Sequence, residues 1–507
     1  MSRRVWLVPS TLLFCFAAVF TAAAQTPCGE LRSLQFPGTT LTLAEALPAR
    51  PFRPPGAQPG VNDIDIPAHC RIAVTLKPSP DSDIKAELWL PAGAAWNGKF
   101  LGVGGGGFVG SINTGGMASA LREGYATAST DTGHAGGSAE FALGHPEKVI
   151  DFAYRAVHEM TVASKAIIKA HYGRGPRFSY FSGCSTGGRQ GLMEAQRYPE
   201  DYDGIIAGAP AHTQIELCAW RMAIMRSVLM EPSKALPPEK TAIVNKAVLE
   251  QCDALDGVND GLLTDPRKCR FNPETLLCKG AAQDGCLTAP QIETVKMAYS
   301  DARKRNGDLI YPGLVPGGET GWLLPGRATE PGGIDLGMFR YIAHQEAAWD
   351  WRNFDLERDT ELAMRSAGFM HAANPDLSAF KARGGKLLVY HGWSDGGSGG
   401  AISPLGTISY YESVLKRMGR NQGDWLRLFM IPGMAHCGGG QGPNQFNMLA
   451  VLERWREANV APDMILAARV LNNRVDMTRP LCPYPQAAVY RGSGSTNDAA
   501  NFACKAP

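Results

Sequence analysis

Charge of one sign is what this sequence lacks most. In 507 residues, 50 Lys and Arg stand against 48 Asp and Glu. The first 24 residues hold two arginines and no acid, so the remainder balances at 48 against 48. That balance leaves no basic footprint for nucleic acid and no patch for an anionic membrane surface. Beyond the N-terminus no run is long and apolar enough to span a bilayer. No internal repeat is evident, and no two cysteines have the Cys-x-x-Cys spacing of a zinc site. With 44% hydrophobic and 19% charged residues, a disordered or fibrous class is excluded. The length allows two or three domain-sized units around an ample core.

What is present begins with MSRRVWLVPSTLLFCFAAVFTAAAQ. Two arginines, an apolar stretch through Phe20 and the small residues Ala22 to Ala24 fit a signal peptide cleaved near Ala24, giving a secreted or periplasmic protein. An N-terminal membrane anchor is the alternative, disfavoured by the short apolar stretch. Cys15 follows Phe14, not a small residue, which argues against a lipoprotein site. Of 12 cysteines, all but Cys15 lie beyond this segment. That number suits an oxidising compartment, and its odd remainder leaves one thiol over.

Strand and helix signals alternate along much of the chain. Ile84–Leu90 alternates apolar and polar residues as a half-buried strand does, Lys99–Val103 runs into Gly104–Gly107, and Tyr125–Ser129 is a third strand. Residues 151–171 have helical spacing and stop near Gly173. Arg177–Phe181 then reads as strand, Thr186–Tyr198 as helix and Tyr202–Ala209 as strand. From about 212 to 385 the rhythm gives way to Asp-Gly and Pro-Gly turns, tryptophans and helical pieces. It resumes with strand Lys386–Tyr390, a helix around Ile408–Met418, strand Leu426–Ile431 and a helix from Asn444 to Ala458. This predicts an α/β fold with a mostly parallel sheet covered on both faces. The sheet domain spans 71–211 and 386–480, followed by a tail to 507; residues 212–385 form an insertion, and 25–70 precede the core.

Gly183-Cys184-Ser185-Thr186-Gly187 is G-x-S-x-G between a predicted strand and a predicted helix, the context of a nucleophile elbow. A serine nucleophile needs a histidine base oriented by a carboxylate, and in α/β-hydrolases these follow in the order Ser, Asp, His on loops after later strands. Asp395, in His391-Gly-Trp-Ser-Asp395, and His436, in Pro432-Gly-Met-Ala-His436, occupy those places. Cys184 precedes the serine and Cys437 follows the histidine. If Ser185 and His436 meet, the neighbouring Cα atoms fall within the roughly 4.4–6.8 Å that a disulfide spans, so a Cys184–Cys437 bond is expected. The oxyanion needs backbone donors: the N–H of Thr186 and one from the glycine run, with Gly105 or Gly106 as the choices. Asp253, Asp256 and Asp260 crowd into a glycine-containing segment that suits Ca²⁺ or, equally, a pair of solvated Asp-Gly turns; the spacing is not that of an EF-hand.

Taken together, Cys184-Ser185, Asp395, His436-Cys437, Gly104–Gly107, Ser129-Thr-Asp-Thr-Gly-His134 and the Asp-rich segment resemble the tannase and feruloyl esterase family, which includes the enzyme hydrolysing mono(2-hydroxyethyl) terephthalate. The resemblance covers nearly the whole mature chain. It implies an α/β-hydrolase core with a large inserted lid domain. It also implies structural calcium held by the side chains of Asp253, Asp256 and Asp260 and the carbonyls of Val258 and Leu262, with no organic cofactor. Carried onto this chain, the other disulfides are Cys28–Cys70, Cys252–Cys269, Cys278–Cys286 and Cys482–Cys504, which leaves Cys218 free. The implied activity is that of a serine carboxylesterase on a small ester of an aromatic acid, feruloyl-type first, with galloyl esters or terephthalate monoesters as alternatives. A secreted binding protein on a hydrolase fold is the reading from another class. Because the lid sets substrate choice in that family, Trp322, Phe339, Trp349 and Trp351 are either pocket walls or core packing. One departure is Gly396-Gly-Ser-Gly-Gly400 after Asp395, where family members often carry Pro or a branched apolar residue.

Overall fold

The computed structural model describes residues 25–56, 62–108, 110–280, 284–322, 329–396 and 401–506. The expected signal peptide and residues 397–400 of the glycine run lie outside the described residues.

Strands β1 (Thr39–Leu47), β2 (His69–Leu76), β3 (Ile84–Pro91), β4 (Lys99–Val103), β5 (Ala126–Thr130), β6 (Phe178–Cys184), β7 (Gly204–Gly208), β8 (Lys386–Gly392) and β9 (Leu426–Ile431) form one sheet. Their spatial order is β1-β2-β3-β5-β4-β6-β7-β8-β9. The first three strands run antiparallel to their neighbours, and from β5 onward every pairing is parallel. Successive side chains point to opposite faces of a strand. Phe100, Phe181, Ile205, Leu387 and Leu428 therefore pack on one face, against helices α2 (Ala156–Tyr172), α3 (Thr186–Arg197) and α8 (Pro404–Met418). Leu101, Tyr180, Ile206, Leu388 and Phe429 pack on the other, against α1 (Thr114–Arg122) and α9 (Met448–Ala458). Burial on both faces is why these strands read as continuous apolar runs.

Three expectations shift. The sheet begins at Thr39, not after residue 70, because β1 pairs with β2 and the Cys28–Cys70 disulfide fastens the segment before it. Thr39–Leu47 of that segment is thus part of the core sheet, whereas Arg50–Phe52 and Ile64–Ile66 pair with each other apart from it. The helix expected from 151 opens with a π-helical turn at Asp151–Arg155 before α2. The last helix begins at Met448 and not at Asn444, because the Asn447 side chain accepts from the Ala450 N–H and caps it.

Between β7 and β8 the chain leaves the sheet and forms a lid around α4 (Gln214–Met230), α5 (Pro238–Cys252), α6 (Ala289–Tyr299) and α7 (Leu356–Ala367). Its apolar side chains fall into two groups. One joins Ile215, Met222, Phe354 and Met370 to Phe108 and Phe152 of the core. The other centres on Leu217, Trp220, Val244, Val248, Ile292 and Tyr311. The first group ties lid and core into a shared interior.

Candidate active site

The G-x-S-x-G segment forms a sharp turn from β6 into α3. Ser185 sits there at φ 63°, ψ −121°, a backbone that side-chain-bearing residues rarely adopt. The flanking glycines are required by space: a Cβ on Gly183 would lie 2.5 Å from the Gly187 carbonyl carbon, and one on Gly187 would lie 2.9 Å from the Gly105 oxygen. The turn is pinned by its backbone. Ser185 N–H donates to the Gly208 carbonyl at 2.9 Å, and the Ala211 N–H donates to the Ser185 carbonyl at 3.1 Å.

Asp395 and His436 emerge just past the C-terminal ends of β8 and β9, two strands paired in parallel. Asp395 Oδ2 lies 2.8 Å from His436 Nδ1. It also lies 2.9 Å from Nε2 of His391, whose Nδ1 is 2.8 Å from the Thr407 hydroxyl. Asp395 Oδ1 accepts from the Ile402 N–H at 3.3 Å. Burial pushes the Asp395 carboxyl up, but hydrogen bonds from His391 and His436 outweigh it and hold it below the ordinary carboxylate value. With Nδ1 engaged by Asp395, the imidazole of His436 keeps Nε2 for another partner. The Cys184–Cys437 disulfide, Cα–Cα 5.8 Å, fastens the histidine loop to the elbow.

The glycine run is propped from several sides. Gly104 N–H donates to the Ser182 carbonyl at 3.0 Å, Asn113 Nδ2 to the Gly104 carbonyl at 3.0 Å, and the Thr186 hydroxyl to the Gly107 carbonyl at 3.0 Å. His134 Nε2 meets the Phe108 carbonyl at 2.8 Å, which gives the Ser129–His134 segment its place as a support. One expectation is corrected: the Gly105 N–H already donates to Gln190 Oε1 at 3.1 Å, so it faces α3 and is not free for an oxyanion. A cavity opens beside Ser185, lined by Thr186, Gln214, Leu217, Arg221, Ile334 and Ile402 among others. Trp322, Phe339, Trp349 and Trp351 are buried in the two lid clusters, and none is among the described residues lining that cavity.

Sequence reading missed four contributors. His391 stood inside the quoted His391–Asp395 segment, but only the fold aims it at the carboxylate. Gln190 holds the glycine run, and Gln214 lines the cavity. Arg189, fully buried, donates to the carbonyls of Phe152, Ala153 and Met370, at 2.8 Å for Ala153. Burial lowers its pKa to about 10, which leaves it charged at neutral pH.

In the Asp-rich loop each carboxylate bonds to the loop's own amides. Asp253 Oδ2 accepts from Gly261 N–H at 2.8 Å, Asp256 Oδ1 and Oδ2 from Val258 and Thr264 N–H at 3.1 Å each, and Asp260 Oδ1 from Leu262 N–H at 3.1 Å. Asp260 Oδ2 also pairs with Arg479 at 2.6 Å. Asp256, Val258, Asp260 and Leu262 line one small recess together with Arg479. Among the described residues no group of three or more His, Cys, Asp or Glu side chains closes into a metal cage. Cys184–Cys437 is bonded as the adjacency to Ser185 and His436 predicted, the other four disulfides are as the resemblance implied, and Cys218 is a buried free thiol.

Comparison with known proteins gives the same direction. Residues 70–505 match the family described as tannase and feruloyl esterase. An uncharacterized esterase of Xanthomonas campestris is 37% identical, the match covering 97% of this chain and 94% of that protein. A probable feruloyl esterase B-1 of Aspergillus flavus is 36% identical over 86% of each chain. Feruloyl esterase B from Aspergillus oryzae superposes with a TM-score of 0.87 at 31% identity, covering 94% of this chain and 99% of its own. The tannin acyl hydrolase of Aspergillus niger, at 23% identity and TM-score 0.77, shares the fold. A serine on a strained elbow, a histidine–aspartate pair and this extent of similarity identify the chain as a carboxylic ester hydrolase belonging to the tannase and feruloyl esterase family.

Proposed function

We propose that the enzyme works through an acyl-enzyme on Ser185 and hydrolyses esters of hydroxycinnamic acids of the feruloyl type. The observation that carries the mechanism is the 2.8 Å His436–Asp395 contact on a loop disulfide-bonded to the residue before Ser185. Ser185 Oγ attacks the ester carbonyl carbon while His436 Nε2 takes its proton. The oxyanion is received by backbone N–H groups of Thr186 and of Gly106, since that of Gly105 is committed to Gln190. The ester C–O bond breaks, and the leaving alcohol takes the proton from His436. Water then attacks the acyl carbon as His436 accepts its proton; the acid leaves and Ser185 regains its hydrogen. Asp395 orients the imidazole and balances its charge, and His391 with Thr407 holds Asp395 in turn.

The feruloyl reading is supported by the names of the relatives and by the apolar Leu217, Ile334 and Ile402 around the cavity. Export after cleavage near Ala24 is supported by five disulfides, which form and persist in oxidising compartments. Calcium in the Asp-rich loop is supported by donor chemistry: oxygen ligands alone, four of the five expected residues on one recess, and three carboxylates against a single Arg479 guanidinium. There the ion would neutralise the loop and brace the lid, with no part in the chemical steps.

The test is acid release from methyl ferulate, methyl gallate and mono(2-hydroxyethyl) terephthalate by the mature protein and by Ser185→Ala. Cleavage of methyl ferulate, reduced by roughly 10⁴-fold or more in the variant, is the expected result. Preferential cleavage of either other ester reassigns the substrate, and no cleavage by folded protein favours a binding role.

A further inference from the structure

Helix α4 begins three residues after Ala211, whose N–H holds the Ser185 carbonyl. Gln214, Leu217, Cys218 and Arg221, spaced three and four apart on this helix, share one face and line the cavity beside Ser185. The other members of this face have their requirements met. Leu217 is apolar, Arg221 Nε and Nη2 pair with the Asp335 carboxylate at 3.0 and 2.9 Å, and the Cys218 thiol rests against the same carboxylate. Gln214 differs. Its side chain is 2% exposed, and Oε1 meets no donor among the described residues. Native proteins seldom leave a buried amide oxygen without a donor, since it has lost water and gained nothing.

We propose that Gln214 is a specificity-determining residue whose Oε1 accepts a hydrogen bond from a hydroxyl on the acyl half of the substrate. The inference rests on the aromatic-ester reading above and sharpens it: the enzyme selects hydroxylated aromatic acids over the same acids without the hydroxyl. The surroundings favour this class of ligand. Ile334, Ile402 and Leu217 offer apolar surface to a ring. The Arg221 charge is met by Asp335, so a terephthalate carboxylate would find that cation already paired. A phenolic hydroxyl, in contrast, donates. A site built around a hydrogen bond discriminates against an analogue that cannot make it, because the buried acceptor is then left unpaired.

The experiment pairs each hydroxylated ester with its parent: methyl 4-hydroxycinnamate with methyl cinnamate, and methyl gallate with methyl benzoate. kcat/KM is measured for the full mature chain and for Gln214→Leu and the more nearly isosteric Gln214→Met. The quantity read is the ratio within each pair, which does not depend on the fraction of a sample that folded. The unaltered enzyme is expected to favour the hydroxylated member, and both variants to lower that ratio by about tenfold. An unchanged ratio in variants of an enzyme that cleaves these esters overturns the role of Gln214 alone. Cleavage of phenyl acetate with no cleavage of any aromatic acyl ester overturns the substrate reading, and this inference with it.

Discussion

Asp395 is a single carboxylate held by two imidazoles, and much of the site's behaviour follows from that. His391 is enclosed within the protein and serves no role on the surface, so its contact with Asp395 is an orienting one. Replacing it, His391→Phe, removes a donor from a buried acceptor and is expected to destabilise the protein by about 1–3 kcal/mol. The sign of the pH effect follows from the carboxyl being held below its ordinary value. Its charged form stabilises the fold above the unfolded carboxylate pKa, and that contribution is lost as pH falls through the lowered folded value. Without His391 the folded value rises, so melting temperature should begin to drop at higher pH on acidification. Thermal melts of both proteins across about pH 3 to 7 check this; coincident curves would count against it. The proposed triad of Ser185, Asp395 and His436 could be picked out in the sequence because each lies in a short motif at the end of a strand. His391 and Gln214 were not, because what matters about them is the side chain they meet or fail to meet after folding.

At the scale of elements, the strand–turn–helix around Ser185 stores strain that the surroundings must hold. The Cys184–Cys437 bond fastens that turn to the loop after β9. The variant Cys184→Ala with Cys437→Ala is expected to lose about 2–5 kcal/mol of stability. Its kcat should fall more than its KM changes, because the loosened part is the loop carrying His436, the proposed base, and not the cavity wall. Denaturant unfolding and ester kinetics on the same samples check both expectations; a stability loss with kcat intact would make the bond purely structural. The strands of the parallel half were readable from their apolar runs, and the boundary of β9 at Leu426–Ile431 needed no adjustment. The edge strand β1 was not, since Thr39–Leu47 is only partly buried and mixes Thr, Ala and Glu with its leucines. Its identity comes from pairing with β2, a partner no local pattern reveals.

The whole molecule is a sheet with its lid inserted between two of its strands, and the two are joined at a few buried points. Arg189 is one: a cation on α3 that binds carbonyls of the π-helical turn and, at Met370, of the lid. The Asp-rich loop is another, reaching through Asp260 to Arg479, on the hairpin formed by Ile465–Leu471 and Arg474–Leu481. If calcium occupies that loop, chelation should lower the melting temperature by several degrees, and calcium, but not magnesium, should restore it. Scanning calorimetry before and after chelation reads this without an activity assay, and an unaltered melt would leave the Arg479 ion pair, and not a metal, as what holds Asp260. The lid was visible in the sequence as a break in the strand–helix rhythm. Its interior was not: four aromatic residues that invited a pocket reading, Trp322, Phe339, Trp349 and Trp351, went to packing the lid itself.

The bond between Cys184 and Cys437, 253 positions apart, also makes a closed covalent ring that contains the entire lid. A protease that nicks the backbone once inside that ring cannot release a fragment. The clipped protein should migrate as one band on a non-reducing gel and as two after thiol treatment, with Ser185 on one piece and His436 on the other.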